Sequence, residues 1–217
     1  MFGLFRTKKE IPTEPEKRVI SPGEKRFYVL DFDRTITVLH TGAIAYGSEL
    51  APAFIQKNVK KGFADFVRKV ISNGHGVYIA SYNDDANADL VEEDEAVSGH
   101  DLIKLYMDEI FGQEQTIFST PRKNGAGEII SAGNIIANNS QDYKQYHLDI
   151  IVQQENLDQE NPVDMQRIYL LEDDEYVVRL FMGKGCKIIV PFSASRSADT
   201  AATKTLFTSY MPESFIV

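Results

Sequence analysis

The fold of this chain is decided by the stretch Tyr28-Val29-Leu30-Asp31-Phe32-Asp33-Arg34-Thr35. Three apolar residues lead into two carboxylates that are two positions apart, and a threonine follows four positions after the first acid. The apolar run predicts a buried strand that ends at the acids. Ligands bind at the carboxyl ends of strands in open α/β sheets, where carboxylates suit metal binding and acid–base chemistry. The alternative is a strand that ends in a solvated turn, where Asp is common.

Composition and charge limit the classes of protein to which the chain can belong. It has 217 residues, enough for one large domain or a domain with extensions. The hydrophobic and charged fractions, 43% and 25%, are ordinary for a globular protein. A net charge of -9 argues against a nucleic-acid partner, because phosphates repel an acidic surface. No apolar run is long enough to predict a transmembrane segment.

The termini and the cysteine usage lead to an expectation about location. The N terminus is short and apolar and then basic, the reverse of the order in a signal peptide. Cys186 is a single cysteine, which is compatible with a reducing compartment, so we expect a cytoplasmic protein. Export as an effector stays open. We expect an extended arm at residues 1–25, the folded domain at 26–192, and a tail or helix at 193–217.

Predicted strands alternate with predicted helices along the domain. The strands are expected at 27–31, 77–80, 167–171 and 186–190, and the helices at 54–72, 101–111, 141–157 and 176–182. This alternation predicts an α/β fold with a parallel sheet that is covered on both faces.

Polar side chains follow three of the predicted strands. They are Asp31 and Asp33 after the first; Ser81, Asn83 and Asp84 after the second; and Asp173 and Asp174 after the third. The carboxyl ends of adjacent parallel strands lie together, so these groups are expected in one pocket. Clustered carboxylates need a neutralising cation, and oxygen ligands without His or Cys favour Mg²⁺. A hydroxyl from Ser81 or Thr35 and a cation such as Lys144 would suit a phosphate group.

These residues resemble the motifs of the haloacid dehalogenase (HAD) superfamily of phosphotransferases. Its first motif, a strand followed by DxDxT, is matched by residues 28–35, and its second, a strand ending in Ser or Thr, by residues 77–81. Its third, a lysine near a helix start, is matched by Lys144, and its fourth, a strand ending in an acidic pair, by residues 167–174. The resemblance covers 27–190 and implies a three-layer, Rossmann-like fold with a central, mostly parallel sheet.

The resemblance also implies catalytic roles. Asp31 is the nucleophile, which forms an aspartyl-phosphate. Asp33 protonates the leaving oxygen and then deprotonates the attacking water. Ser81 hydrogen-bonds the transferring phosphoryl group, and Lys144 offsets its negative charge.

A Mg²⁺ ion is the implied cofactor, held by Asp31, the backbone carbonyl of Asp33, Asp173 and Asp174. Two points stay open in the sequence. Lys123 lies in the preceding loop and competes with Lys144 for the third motif. The fourth motif has a run of acids, and side-chain alternation prevents all of Glu172, Asp173, Asp174 and Glu175 from converging without a turn.

Two further residue types have less specific interpretations. Arg34 takes a position where the family often has Gly, and it would hold a second anionic group of a substrate or pair with the acidic 92–95 segment. The four histidines, His40, His75, His100 and His147, have no metal-ligand spacing and are interpreted as surface or helix-face residues.

The resemblance favours one activity. An acid at position 33 favours hydrolysis of phosphate monoesters, because an alkoxide leaving group needs a proton. The inserts at 38–76 and 84–143 leave room for a small cap or none, an arrangement that resembles family members acting on exposed phosphates such as phosphoproteins. We therefore expect a Mg²⁺-dependent phosphatase acting on phosphotyrosine or phosphoserine in a protein. The alternatives are a small-metabolite phosphatase, for nucleotides or sugar phosphates, and a HAD-like binding module with little turnover.

Overall fold

The computed structural model describes residues 24–90, 95–112, 117–123, 129–131, 133–142, 144–156 and 164–190. The predicted tail at 193–217 and all of the predicted arm except Glu24 and Lys25 lie outside the described residues. The division into arm, domain and tail therefore stays a prediction.

A five-stranded sheet forms the centre of the protein. In order across the sheet the strands are β7 (Ile135–Ala137), β3 (Gly76–Ser81), β1 (Phe27–Leu30), β8 (Ile168–Leu171) and β9 (Lys187–Ile189). All four pairs of neighbouring strands are parallel. The chain adds β3 and β7 on one side of β1 and then β8 and β9 on the other. The order therefore reverses beside β1, which is where open α/β sheets bind ligands.

Helices cover both faces of this sheet. The first apolar core packs one face against α1 (Pro52–Asn58), α2 (Phe63–Ser72) and α3 (Gly99–Phe111), and the second packs the other face against α4 (Lys144–Asn156) and α5 (Glu175–Phe181). Every residue of β1 and β8 is buried, as expected for central strands between two helix layers. The predicted three-layer, Rossmann-like α/β fold is confirmed.

The predicted helix at 54–72 is wrong in one respect, because the structure has two helices there. The chain leaves α1 after Asn58 and enters α2 at Phe63. Between them, Val59 forms an antiparallel bridge with Thr37, and Gly62 has a φ of 86°. Apolar periodicity continues through the break because both helices bury apolar side chains in the same core. The pattern alone therefore does not reveal the break.

Two small antiparallel pairs complete the described elements. Strand β2 (Ile44–Ala45) pairs with β4 (Val97–Ser98), and β5 (Arg122–Lys123) pairs with β6 (Ile129–Ser131). Short helical turns lie at Phe32–Ile36, Gly47–Leu50, Asp85–Leu90 and Met165–Arg167. Within the described residues, none of the helices combines the length and the apolar character that crossing a membrane requires.

Candidate active site

Three carboxylates meet at the carboxyl end of the central strands. Asp31 directly follows β1, and Glu172 and Asp173 directly follow β8, the strand that pairs with β1. The backbone N–H of Asp31 donates to the carbonyl of Leu171 at 2.9 Å, which keeps the two strand ends together. One carboxylate oxygen from each acid lies within 4.8 Å of the other two. The structure thus brings Asp31 and Asp173 together and adds Glu172.

Lys144 is buried in this carboxylate cluster. Its ammonium lies 2.5 Å from Oδ1 of Asp31 and 3.5 Å from Oε2 of Glu172, and it also donates to the carbonyl of Ala80. The side chain has 0% exposure and is the first residue of α4, where the third motif was expected. Lys123 lies in β5, and its side chain is outside what the structure describes. Lys144 is therefore the lysine that the structure places beside Asp31.

Burial controls the ionisation of the cluster. Loss of solvent raises the pKa of Asp31 well above its usual range; Lys144 opposes this shift and Glu172 adds to it. Burial also raises the pKa of Glu172, again against Lys144. Burial alone would lower the pKa of Lys144, but the two carboxylates outweigh it and the pKa is raised. The cluster therefore has an excess of carboxylate over cation, and it favours a bound proton or a further cation.

A turn at Phe32–Ile36 follows β1 and positions Asp33. Its carboxylate accepts a hydrogen bond from the backbone N–H of Thr41 at 2.7 Å and lies 3.7 Å from Nδ1 of His40. From the same turn, the hydroxyl of Thr35 donates to Asp173 at 3.3 Å. Asp33 is not among the three clustered carboxylates, but it follows Asp31 by two positions in the chain. That its backbone carbonyl binds the metal stays a prediction.

Ser81 is the last residue of β3, the strand on the other side of β1. The residue is buried, and its hydroxyl accepts a hydrogen bond from the backbone N–H of Asn83 at 3.3 Å. The parallel register of β3 with β1 brings Ser81 to the strand ends where Asp31 lies. The structure thus places Ser81 at the carboxyl ends of the strands, where the second motif was expected.

The structure places Asp174 elsewhere. Its carboxylate accepts hydrogen bonds from the backbone N–H groups of Tyr176 and Val177 and so caps the N terminus of α5. Glu175 is exposed and pairs with Arg179 at 3.1 Å. The expected placement of Asp174 among the metal ligands is therefore not found, because helix α5 begins at once and uses this carboxylate as its cap.

Two buried residues of the site region were not identified as site residues from the sequence. Lys60, which is 5% exposed, lies between α1 and α2 and donates to the carbonyl of Arg34. His147, which has 0% exposure, lies one turn after Lys144 in α4, so of the two interpretations, surface or helix face, the structure supports the helix face. A lysine that precedes a glycine by two positions is common on surfaces, so the sequence gave no signal for Lys60.

We expect His147 to reduce acid stability. Burial, together with the charge of Lys144, lowers the pKa of His147 to about 3. Below about pH 6.5 the unfolded chain binds a proton there that the folded chain does not, so folding free energy is lost as pH falls. Relative to His147→Gln, the wild type should lose about 3 kcal/mol between pH 7 and pH 4. Urea denaturation at a series of pH values measures this difference, and parallel stability curves would contradict it.

The donor set of the carboxylate cluster fits Mg²⁺. All three side chains offer oxygen ligands, and no His or Cys belongs to the cluster within the described ranges. Asp31, Glu172 and Asp173 would hold the ion, with Glu172 in the place where Asp174 was expected. The three carboxylates outnumber the two buried ammonium groups that act on them, Lys144 and Lys60, and this excess of negative charge supports the fit.

Comparisons with known proteins give little further information. A scan of known protein families finds no model that matches the chain, and a search of curated proteins finds no match. A search of solved structures finds a similarity to a structure titled "substrate bound phosphoserine phosphatase complex structure". The two chains are 12% identical, and the similarity covers 77% of this chain and 86% of that chain with a TM-score of 0.42.

Proposed function

We propose that the chain is a HAD-type, Mg²⁺-dependent phosphatase that hydrolyses phosphate monoesters through an aspartyl-phosphate on Asp31. One observation carries this proposal: Asp31 lies within 2.5 Å of a buried ammonium and within 4.8 Å of two other strand-end carboxylates. Such a site combines a carboxylate nucleophile with positive charge and metal-ligating oxygens, which phosphoryl transfer requires. The order of the four motifs along the chain supports the same conclusion.

Each side chain has a defined part in the proposed reaction. An oxygen of Asp31 attacks phosphorus, and the bond between phosphorus and the ester oxygen breaks. Asp33 gives the leaving oxygen its proton and then takes a proton from the water that hydrolyses the aspartyl-phosphate. Lys144 orients Asp31 and offsets the negative charge of the phosphoryl group. When bound, Mg²⁺ supplies the charge that keeps the carboxylates ionised and reduces their repulsion of the substrate.

The substrate is proposed to carry an exposed phosphate, such as phosphotyrosine or phosphoserine in a protein. The support comes from the size of the inserts around the site. Between β1 and β3 the described residues form β2, two short helical turns, α1 and α2, and both α1 and α2 pack on the sheet. Among the described residues between β3 and β7, α3 is the one helix longer than a short turn. It packs on the same face of the sheet as α1 and α2. Neither insert supplies a described bundle that would cover the site.

A substrate panel with controlled metal tests this function. We expect hydrolysis of p-nitrophenyl phosphate and of phosphopeptides that requires Mg²⁺ and is lost in EDTA, with slower hydrolysis of nucleotides and sugar phosphates. Preference for nucleotides or sugar phosphates would favour the small-metabolite alternative. Mg²⁺ binding by calorimetry without turnover on any of these substrates would contradict a phosphatase and favour a binding module.

The role of Asp33 gives a separate prediction. In Asp33→Asn the leaving oxygen departs without its proton, so kcat should fall by about 10² to 10⁴ for phosphotyrosine or phosphoserine peptides. The fall should be smaller for the first step with p-nitrophenyl phosphate, because nitrophenolate is a good leaving group. Single-turnover release of nitrophenol and of peptide product measures both. An equal loss for good and poor leaving groups would argue against general acid catalysis by Asp33.

A further inference from the structure

The break between α1 and α2 is made by backbone pairing with the segment that follows the catalytic turn. The N–H of Val38 donates to the carbonyl of Asn58 at 2.7 Å, and the N–H of Lys60 donates to the carbonyl of Ile36 at 2.9 Å. The side chain of Asn58 adds a bond from the N–H of Leu39 at 2.8 Å. The chain therefore gives up helical hydrogen bonds to attach residues 58–60 to residues 36–39.

This attachment places the side chain of Lys60 under the turn at Phe32–Ile36. Its ammonium donates to the carbonyl of Arg34, a residue that lies between Asp33 and Thr35. Burial lowers the pKa of Lys60 to about 8, while the carboxylates of Asp173 and Asp31 oppose this shift. A lysine is rarely buried without a specific partner, so the carbonyl and the nearby acids account for its position.

The turn that Lys60 contacts has a backbone conformation that needs support. Arg34 has a φ of 58°, in the left-handed region, where a residue with a Cβ is strained. The N–H of Arg34 donates to the hydroxyl of Thr37 at 2.9 Å, and its carbonyl accepts from Lys60. The backbone N–H and the backbone carbonyl of Arg34 are therefore both held by side chains. The turn carries Asp33 and, through Thr35, contacts Asp173.

We infer that Lys60 is a positioning residue that holds the carbonyl of Arg34 and so fixes the turn on which Asp33 and Thr35 are aligned with Asp31 and Asp173. This inference rests on the proposed phosphatase function. Lys60 acts through the backbone and not on the substrate. Misplacement of a catalytic group by a fraction of an ångström lowers turnover while leaving ground-state binding nearly unchanged. Lys60 should therefore control kcat more than KM.

The experiment compares Lys60→Met with Lys61→Met, a matched control at the adjacent exposed lysine. At saturating Mg²⁺, K60M should lose about 10- to 100-fold in kcat on p-nitrophenyl phosphate with KM changed by less than about threefold. K61M should match the wild type. A kcat of K60M equal to that of the wild type would overturn the inference, and a loss confined to KM would assign Lys60 to substrate binding instead.

A second variant tests whether the lysine acts through Arg34. Glycine adopts a positive φ without strain, so Arg34→Gly should make the turn less dependent on Lys60. The loss of kcat caused by K60M should be at least about threefold smaller in the R34G background. An equal loss in both backgrounds would overturn the inference.

Folding and function are separated within the same set of proteins. If K60M does not fold, R34G/K60M is expected to fold and turn over substrate. Failure of both to fold would assign Lys60 to the stability of the fold and overturn positioning. A wild type without turnover would contradict the proposed function itself, whereas an active wild type with an unaffected K60M would contradict only the role of Lys60.

Discussion

Asp31→Asn is expected to abolish phosphatase activity, with a loss of at least about 10³-fold in kcat on p-nitrophenyl phosphate. An amide cannot form the aspartyl-phosphate, and the substitution also removes one of the three clustered carboxylates that would hold the metal. The fold should persist, because burial already raises the pKa of Asp31 and so disfavours its charged form. Circular dichroism and thermal unfolding should show a melting temperature no lower than that of the wild type.

Asp174→Asn is the matched control for this variant. It makes the same chemical change in the acidic run after β8, but the structure uses Asp174 to cap α5, and Asn caps helices as well as Asp. Activity within about threefold of the wild type is expected, since the carboxylate is not part of the cluster. Loss of activity in D174N comparable to that in D31N would restore Asp174 as a metal ligand and contradict the assignment to Glu172.

Lys144→Met should reduce both activity and stability. Removing a charge that stabilises the transferring phosphoryl group costs about 10² to 10³ in kcat. The variant also leaves Asp31 and Glu172 buried without their ammonium, which we expect to lower the free energy of unfolding in EDTA by about 3 kcal/mol, or the melting temperature by about 6 to 12 °C. Steady-state kinetics and calorimetric unfolding measure the two effects.

Two further variants test whether the losses of kcat and stability in K144M come from its contact with Asp31 and not from the removal of any lysine. Lys184 is exposed, and its ammonium donates to the side chain of Gln145, the residue that follows Lys144 in α4. Lys184→Met should leave kcat and stability unchanged. In the double variant D31N/K144M the unpaired carboxylate of residue 31 is gone, so its loss of stability should be smaller than that of K144M. Additive losses of stability in the double variant would show that Asp31 and Lys144 do not interact energetically.

Four of the five strands of the central sheet, with their ends, could be predicted because short-range patterns determine them, whereas β7 was not predicted because its apolar run is only three residues long. A fully apolar run before Asp31 marks a strand buried on both faces, and parallel strands necessarily bring their carboxyl ends together. The family resemblance implied Lys144 beside Asp31 and left Lys123 as its competitor, and the contact between Lys144 and Asp31 became visible only in the structure. These predictions needed no knowledge of side-chain packing.

The parts that could not be predicted depend on contacts between distant segments. Glu172 and Asp174 are alternatives in the sequence, and only the immediate start of α5 commits Asp174 to a cap and leaves Glu172 in the cluster. Lys60 reaches the site because residues 58–60 pair with 36–38, a competition between helix and ladder that apolar periodicity does not register.

Trapping the covalent intermediate tests the central claim most directly. Protein quenched during turnover with Mg²⁺ and p-nitrophenyl phosphate is treated with borohydride, which reduces an aspartyl-phosphate to homoserine, and its peptides are mapped by mass spectrometry. We predict homoserine at position 31, dependent on substrate and on Mg²⁺, and none in D31N. Turnover without homoserine at position 31, or with reduction of another carboxylate instead, would contradict Asp31 as the nucleophile.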